Sequence, residues 1–337
     1  MPLNLLIGAA MIAALTFYAL FAGADYGGGV WDIFAVGPRA KKQRDLISHA
    51  IGPVWETNHV WLILLVVLLF VAFPPAYAAL ATALHIPITL ALIGIVLRGA
   101  AFTFRTYDSQ RDDVQRRWSR IFSYASLVTP ILLGVTLGAM ASGTIKVEND
   151  IVTSGYIYSW LAPFPFAVGM FVLVLFAYLA AVYLTLETDD PALQDDFRKR
   201  AIGAGIVAGV LALVVFLLSG EGAPRVRAGL TASSYAIPLH VVTGGLALWA
   251  FAALWKRQYV QARIAAIGQV SLILWGWALA QFPCIVVPDV TLDSASAPPP
   301  TLRLLLIALI SGSVLLFPSM YYLFRIFKSH ATTIEEH

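Results

Sequence analysis

Three polar side chains open one of the most apolar stretches of this sequence. Residues 52–61 read GPVWETNHVW, and the run WLILLVVLLFVAF follows from Trp61. Glu56, Asn58 and His59 therefore enter the first turns of a hydrophobic helix, where an ionisable group is costly unless it is paired or lines a polar path. A second acid, Asp25, lies in GADYGGGVWD (residues 23–32), and a cation, Arg98, begins RGAAFTFR (residues 98–105). Carboxylates and an imidazole so placed could pass protons, while a carboxylate and a guanidinium could simply neutralise each other. Two readings stay open: a proton inlet, or an ion-pair cluster that pins helix ends.

Other chemistries are less well supported. Glu56 and His59 are three residues apart and share a helical face. Di-metal carboxylate sites use Glu-x-x-His twice with further carboxylates, and here the motif occurs once, so no metal site is expected. A Glu56–His59 hydrogen bond on a proton path is the simpler reading. Axial haem ligation needs two imidazoles at matching depth, and His59 and His85 differ by roughly 7 Å at 1.5 Å per residue; His240 is farther from His59 still. The glycines at 27–29 lack the preceding strand and following Lys-Ser/Thr of a phosphate loop, and close approach of a neighbouring helix explains them better. Trp31, Trp55 and Trp61 read as an interfacial aromatic belt, with Trp61 a turn deeper and able to line an apolar gas route. The single cysteine, Cys284, offers no internal disulfide.

The elements that position these residues are membrane helices. Of 337 residues 59% are hydrophobic and 12% charged, with a mean hydropathy of +0.80, against roughly 25% charged in soluble domains. A net charge of +3, with no long basic run, does not suggest nucleic acid as a partner. Spanning a bilayer takes about 20 apolar residues, and nine stretches qualify: 3–26, 53–73, 76–101, 121–143, 160–186, 201–219, 236–255, 263–286 and 302–326. The segment 294–302, SASAPPPTL, reads as an extended connection, because prolines cannot enter a helix interior. The polar tail after Lys328 is expected to fray. The first stretch begins without Lys or Arg and without a cleavage pattern, so it is expected to remain as a helix. With no other targeting signal, the bacterial cytoplasmic membrane is the default. The whole chain, 1–337, is read as one integral membrane domain.

Lysine and arginine set the orientation. Alternate connections carry Arg39, Lys41, Lys42 and Arg44, then a group from Arg98 to Arg120, then Arg198–Arg200, then Lys256, Arg257 and Arg263, and finally Arg325 and Lys328. Only Lys146, Arg225, Arg227 and Arg303 fall on the other side. The N-terminus is thus expected outside and the C-terminus in the cytoplasm, which puts Asp25, Glu56 and Arg98 at one level near the cytoplasmic ends of three consecutive helices.

GADYGGG, AIGPVWETNHVWLI, FPPAYAAL, RGAAFTFR, QFPCIVVP (281–288) and LLFPSMYYLFRIFK together resemble subunit II of the cytochrome bd quinol oxidases. The resemblance covers essentially the whole chain and is strongest over 20–105; the branch called cyanide-insensitive oxidases shares it. It implies an all-α polytopic fold of two four-helix bundles plus one peripheral helix. It also implies a heterodimer in which subunit I ligates haem b and haem d and binds quinol. The resemblance further implies that O2 is reduced to water with protons taken from the cytoplasm and without pumping. A small accessory subunit and a structural quinone or lipid against subunit II are allowed. By the same resemblance Glu56 is a proton-path residue supported by Asp25 and Arg98, and Trp61 stands at the mouth of an oxygen route. Glu56 occupies a position where Asp is also common, and His59 one that is often Gln. A different class remains as the alternative: a secondary transporter with Asp25 and Glu56 as coupling-ion sites. Against it, the acids sit at one membrane end and no inverted repeat is visible. A pure scaffold subunit is the third.

Overall fold

The computed structural model describes residues 2–51, 55–107, 112–148 and 151–329. Residues 52–54, Arg111 and the tail with His330 and His337 lie outside these ranges, as do the side chains of Arg105, Arg116, Arg325 and Lys328. Twelve helices dominate. Nine are long and apolar enough to cross a membrane among the described residues: α1 (Leu3–Ile33), α3 (Trp55–Ala72), α5 (His85–Tyr107), α6 (Asp112–Ser142), α7 (Pro163–Leu184), α8 (Pro191–Gly222), α10 (Ala236–Trp255), α11 (Tyr259–Gln281) and α12 (Pro299–Ser329). Three shorter ones, α2 (Ala40–Ile51), α4 (Pro74–Ala83) and α9 (Pro224–Ala232), lie between them. Two hairpins, β1 (Val147–Glu148) with β2 (Ile151–Val152) and β3 (Cys284–Val286) with β4 (Val290–Thr291), complete the chain.

The packing falls into two sets joined at the centre. Helices α1, α3, α5 and α6 form one, α7, α8, α10 and α11 the other, and α1 and α6 both pack on α7 across the join. Helix α12 rests against α1 and α3. Membrane helices gain little from burying apolar surface against each other, since lipid is equally apolar; close backbone approach and polar contacts hold them. Gly27 illustrates this. A Cβ at Gly27 would collide with the main-chain carbonyl of Phe176 on α7, and one at Gly29 with the Ser126 hydroxyl of α6. The glycine run is thus a helix-packing surface, as its sequence context suggests.

At three boundaries a proline explains the departure from the sequence expectation. The stretch 76–101 is two helices, broken at Leu84 (φ −116°, ψ 19°). Pro87 excludes the carbonyl of residue 83 from a continuous helix, so α5 starts at His85 with Pro87 in its first turn. The stretch 263–286 stops at Gln281, because Pro283 cannot continue the ladder, and QFPCIVVP runs into the β3–β4 hairpin. Conversely, Pro299 and Pro300 are not in an extended connection. They form the first turn of α12, where a missing N–H costs nothing.

The connection after α1 contains a helix that hydropathy did not show. In α2 the residues Gln43, Ile47 and Ile51 are buried, spaced four apart along one face, while Lys41, Lys42 and Arg44 point elsewhere. The basic cluster Arg198–Arg200, expected in a connection, sits inside α8, whose helix begins at Pro191, eleven residues before the apolar stretch takes over at Ile202.

Candidate functional site

Helix α3 divides its side chains between two faces, and that division organises the site. Asn58, Trp61, Leu68 and Ala72 are buried, at spacings of three, seven and four that mark one helical face. That face meets α1. Glu56 stands two residues before Asn58, about 200° round the helix, and is exposed. With Val60, Ile63, Val67 and Phe70, all exposed, it forms a stripe spaced four and three apart. An acid thus heads an otherwise apolar face of a membrane helix.

On the buried side, Asn58 Nδ2 donates to Asp25 Oδ2 at 2.7 Å. Both residues are enclosed, at 2% and 5% exposure. Arg98 of α5 is more enclosed still at 1%. Its Nε donates to Ser126 Oγ at 3.2 Å, and its guanidinium carbon lies 4.7 Å from the Tyr26 ring and 5.1 Å from that of Phe122. Cation–π contacts of this kind strengthen on desolvation. The Arg98 Nη2 atom has no hydrogen-bond partner. Tyr26 and Tyr18, eight residues apart on α1, bring their hydroxyls to 3.4 Å, and Asp25 and Arg98 both act electrostatically on this pair.

His59 packs among three rings, 5.9 Å from Tyr18, 6.0 Å from Tyr26 and 6.4 Å from Trp55. Its Nδ1 is buried without a partner, and among the described residues the expected Glu56–His59 hydrogen bond is not formed. The reason is geometric: Glu56 faces outward, and the His59 ring turns into the tyrosines.

Of the ionisable residues the sequence singles out, Asp25 and Arg98 are buried and His59 is partly buried beside them, while Glu56 stands on the outer stripe. Trp61, three residues on from Asn58, faces α1 and is 3% exposed. Its ring centroid lies 4.5 Å from that of Phe17 and 6.2 Å from that of Phe317, so it is packed inside this chain and does not sit in an exposed aromatic belt. Residues missed by sequence are Tyr18, Tyr26, Ser126 and Asp32. The last is 3% exposed and accepts from Ser123 Oγ at 3.0 Å. Ser123, Ser126 and Thr129, three apart on α6 and all buried, were the available signal: a polar face on an apolar helix.

Toward the opposite end lies a cavity of about 710 Å³ between α1, α3, α5, α6 and α11, walled by residues such as Leu15, Leu69, Ile88, Leu133 and Trp277. Tyr18 lines its inner end. No Lys, Arg, Asp or Glu contributes to the wall, so the propionates of a haem would find no cation there. His85 and His240 each turn Nδ1 to a carbonyl of their own segment, Thr82 and Ala236, at 2.9 and 2.6 Å, which leaves Nε2 as the ring nitrogen open to a ligand. Among the described residues only His85 reaches the cavity wall, so the wall supplies one imidazole and no pair. Among the described residues no group of three metal-ligating side chains converges.

Fold and site together define a multi-pass membrane subunit whose polar groups gather at its basic end, beside an apolar face with one acid. A profile of the cytochrome bd terminal oxidase subunit II family matches residues 3–327, and the chain belongs to that family. It is similar to a Bacillus subtilis chain whose name, subunit II of a cytochrome bd menaquinol oxidase, is itself provisional: 25% identity over 332 residues, covering 96% of this chain and 95% of that one. Subunit 2 of the Escherichia coli K12 cytochrome bd-I ubiquinol oxidase is 26% identical over 64% of this chain and 55% of its own length. The solved bd oxidase of Geobacillus thermodenitrificans contains a chain of the same fold, with a TM-score of 0.78, 21% identity and coverage of 97% and 99%. Membership makes the chain a subunit of a haem-containing terminal oxidase with a partner subunit I.

Proposed function

We propose that this chain is the subunit II of a quinol oxidase in the bacterial cytoplasmic membrane, the partner subunit I ligating haem b and haem d and binding the quinol. The haems, when bound there, carry the electrons that reduce O2 to water. What this chain contributes is a proton entry. The carrying observation is Glu56: an exposed carboxylate heading the apolar stripe Val60, Ile63, Val67 and Phe70, backed across α3 by the buried Asp25–Asn58 hydrogen bond. Subunit I covers that stripe in this reading, and a carboxylate sealed into such an interface can take protons from one side and release them to the other.

The positive-inside distribution supports placing the basic end in the cytoplasm, the N-terminus outside and the C-terminus inside. Asp25, Asn58 and Arg98 then hold the inner ends of α1, α3 and α5 and set the local charge, with His59 as the titratable group between Glu56 and the tyrosine pair. Trp61 acts as a wall of any oxygen route, between Phe17 and Phe317. The apolar cavity suits a neutral quinone tail or a lipid chain. The complete enclosure of Arg98 also favours a scaffold role for that residue.

The test is Glu56→Gln in the assembled oxidase. Turnover and the linked proton uptake are expected to fall about tenfold, equivalent to about 1.4 kcal/mol in the barrier, with haem absorption unchanged. Normal activity would remove Glu56 from the path. Substrate uptake by this chain alone in vesicles would instead establish the transporter alternative.

A further inference from the structure

A second polar feature lies at the basic end, apart from the Asp25–Arg98 group. Where the chain leaves α1, a hollow of about 290 Å³ opens between Val36, Arg39 and Gln43 on one side and Asp196, Lys199 and Arg200 of α8 on the other. Arg200 is its base. The guanidinium carbon is held 5.3 Å from the Trp31 ring and 5.1 Å from the Phe197 ring. Its Nη2 donates to the Phe34 carbonyl at 2.9 Å and to Gln43 Oε1 at 2.8 Å. Both acceptors are neutral, and its Nη1 is buried with no partner. Among the described residues Arg200 makes no ion pair within 4 Å; Asp196 acts on it electrostatically but is itself paired with Arg39.

The surrounding charge is unbalanced in the same sense. Arg39 pairs with Asp196 at 2.6 Å, and Gln43 Nε2 also donates to Asp196 at 2.8 Å. Lys42 faces Asp190 at 3.7 Å. Asp195 is shared by Arg198, Lys199 and Arg257 at 2.7, 2.9 and 3.5 Å. With Arg200 the cations exceed these three carboxylates, and the exposed pairs are weak enough to exchange partners. Asp196, the one carboxylate in the hollow, is already held by Arg39 and Gln43. Beside the hollow, Phe34 and Val36 are exposed at 55% and 75%, an apolar rim at the depth where α1 leaves the membrane.

We propose that this hollow binds the phosphate of an anionic phospholipid, Arg200 and Lys199 meeting the headgroup and Phe34 and Val36 meeting the start of its acyl chains. Basic hollows at the cytoplasmic ends of membrane helices recognise such headgroups. The inference goes beyond proton entry and needs only that the basic end lies at a membrane surface. An occupied site would tie α8 to the α1–α2 connection through the lipid.

The test uses the assembled oxidase, delipidated and returned to bilayers of mixed phosphatidylglycerol and phosphatidylcholine, with retained lipid read by native mass spectrometry. The parent complex is expected to retain phosphatidylglycerol selectively. Lys199→Gln and Arg200→Gln are each expected to lower that retention about fivefold at unchanged haem content. Equal retention in parent and variants overturns the proposal. If Arg200→Gln fails to assemble, Lys199→Gln, whose side chain is 69% exposed, decides alone. Inorganic phosphate is the second arm: if it raises the melting temperature of the delipidated complex as much as phosphatidylglycerol vesicles do, the site takes the free anion and the lipid assignment falls.

Discussion

The two ends of the first helix set show opposite solutions to placing groups inside a membrane. Around Arg98, toward the basic end, the helices of this set touch closely. Gly27 lets α7 approach α1, Gly29 and Gly94 accept Ser126 and Thr129 of α6, and Arg98 is wrapped by Tyr26, Phe122 and Ser126. At the other end the same helices part around about 710 Å³ of apolar space. A buried charge costs several kcal/mol unless neighbours are held in position, so the polar end cannot loosen. An apolar void loses only contacts, and lipid or a hydrophobic tail can restore them. Rigidity therefore follows the charge.

Perturbations should reproduce this contrast, and the largest effects belong to the packed end. Arg98→Ala would empty a fully enclosed site and strand Ser126, and should destabilise the complex by about 3 kcal/mol or more, read as lost melting temperature and lost haem-loaded yield. Gly27→Ala follows, since its methyl meets the Phe176 carbonyl and not a movable side chain; overpacking of this kind costs about 1–3 kcal/mol. If Gly27→Ala assembles as stably as the parent, the close-approach account of the glycine run is wrong. Asn58→Leu should cost about 1–2 kcal/mol by removing the amide that donates to a buried carboxylate oxygen of Asp25, measured in the same unfolding assay. The smallest effect is expected from filling the cavity. Leu133→Phe has room to project inward, so stability should change by less than about 1 kcal/mol, while quinone or lipid retained on purification should fall. A large destabilisation there would erase the distinction between the two ends.

Much of the fold is legible in the order of residues along the chain. The nine spanning segments follow from hydropathy alone, and 236–255 matches α10 at both ends despite Gly244 and Gly245 within it. At three of the boundaries that moved, proline explains the shift: Pro87 and Pro283 break helices, whereas Pro299 and Pro300 open one. Helix α2 is hidden because only Gln43, Ile47 and Ile51 face inward, too few to register as an apolar run. Asp25, Arg98 and His59 stand out because each is a titratable group in an apolar context. Tyr18, Tyr26 and Ser126 do not, since tyrosine and serine are ordinary in membrane helices until a partner is seen.

The sequence by itself determined the class, the number of crossings, the asymmetry of charge between the two ends and the identity of the polar residues at risk in lipid. Those properties are sums over local composition, and composition needs no partner to be read. Tertiary structure alone decided which face of α3 carries Glu56, that Asn58 and not His59 meets a carboxylate, that Trp61 is enclosed, and that Arg200 keeps an unpartnered Nη1. These depend on helix rotation and on which helix lies alongside. Rotation is set by where glycines let neighbouring backbones touch, and that is a property of pairs of helices that no single stretch of chain encodes.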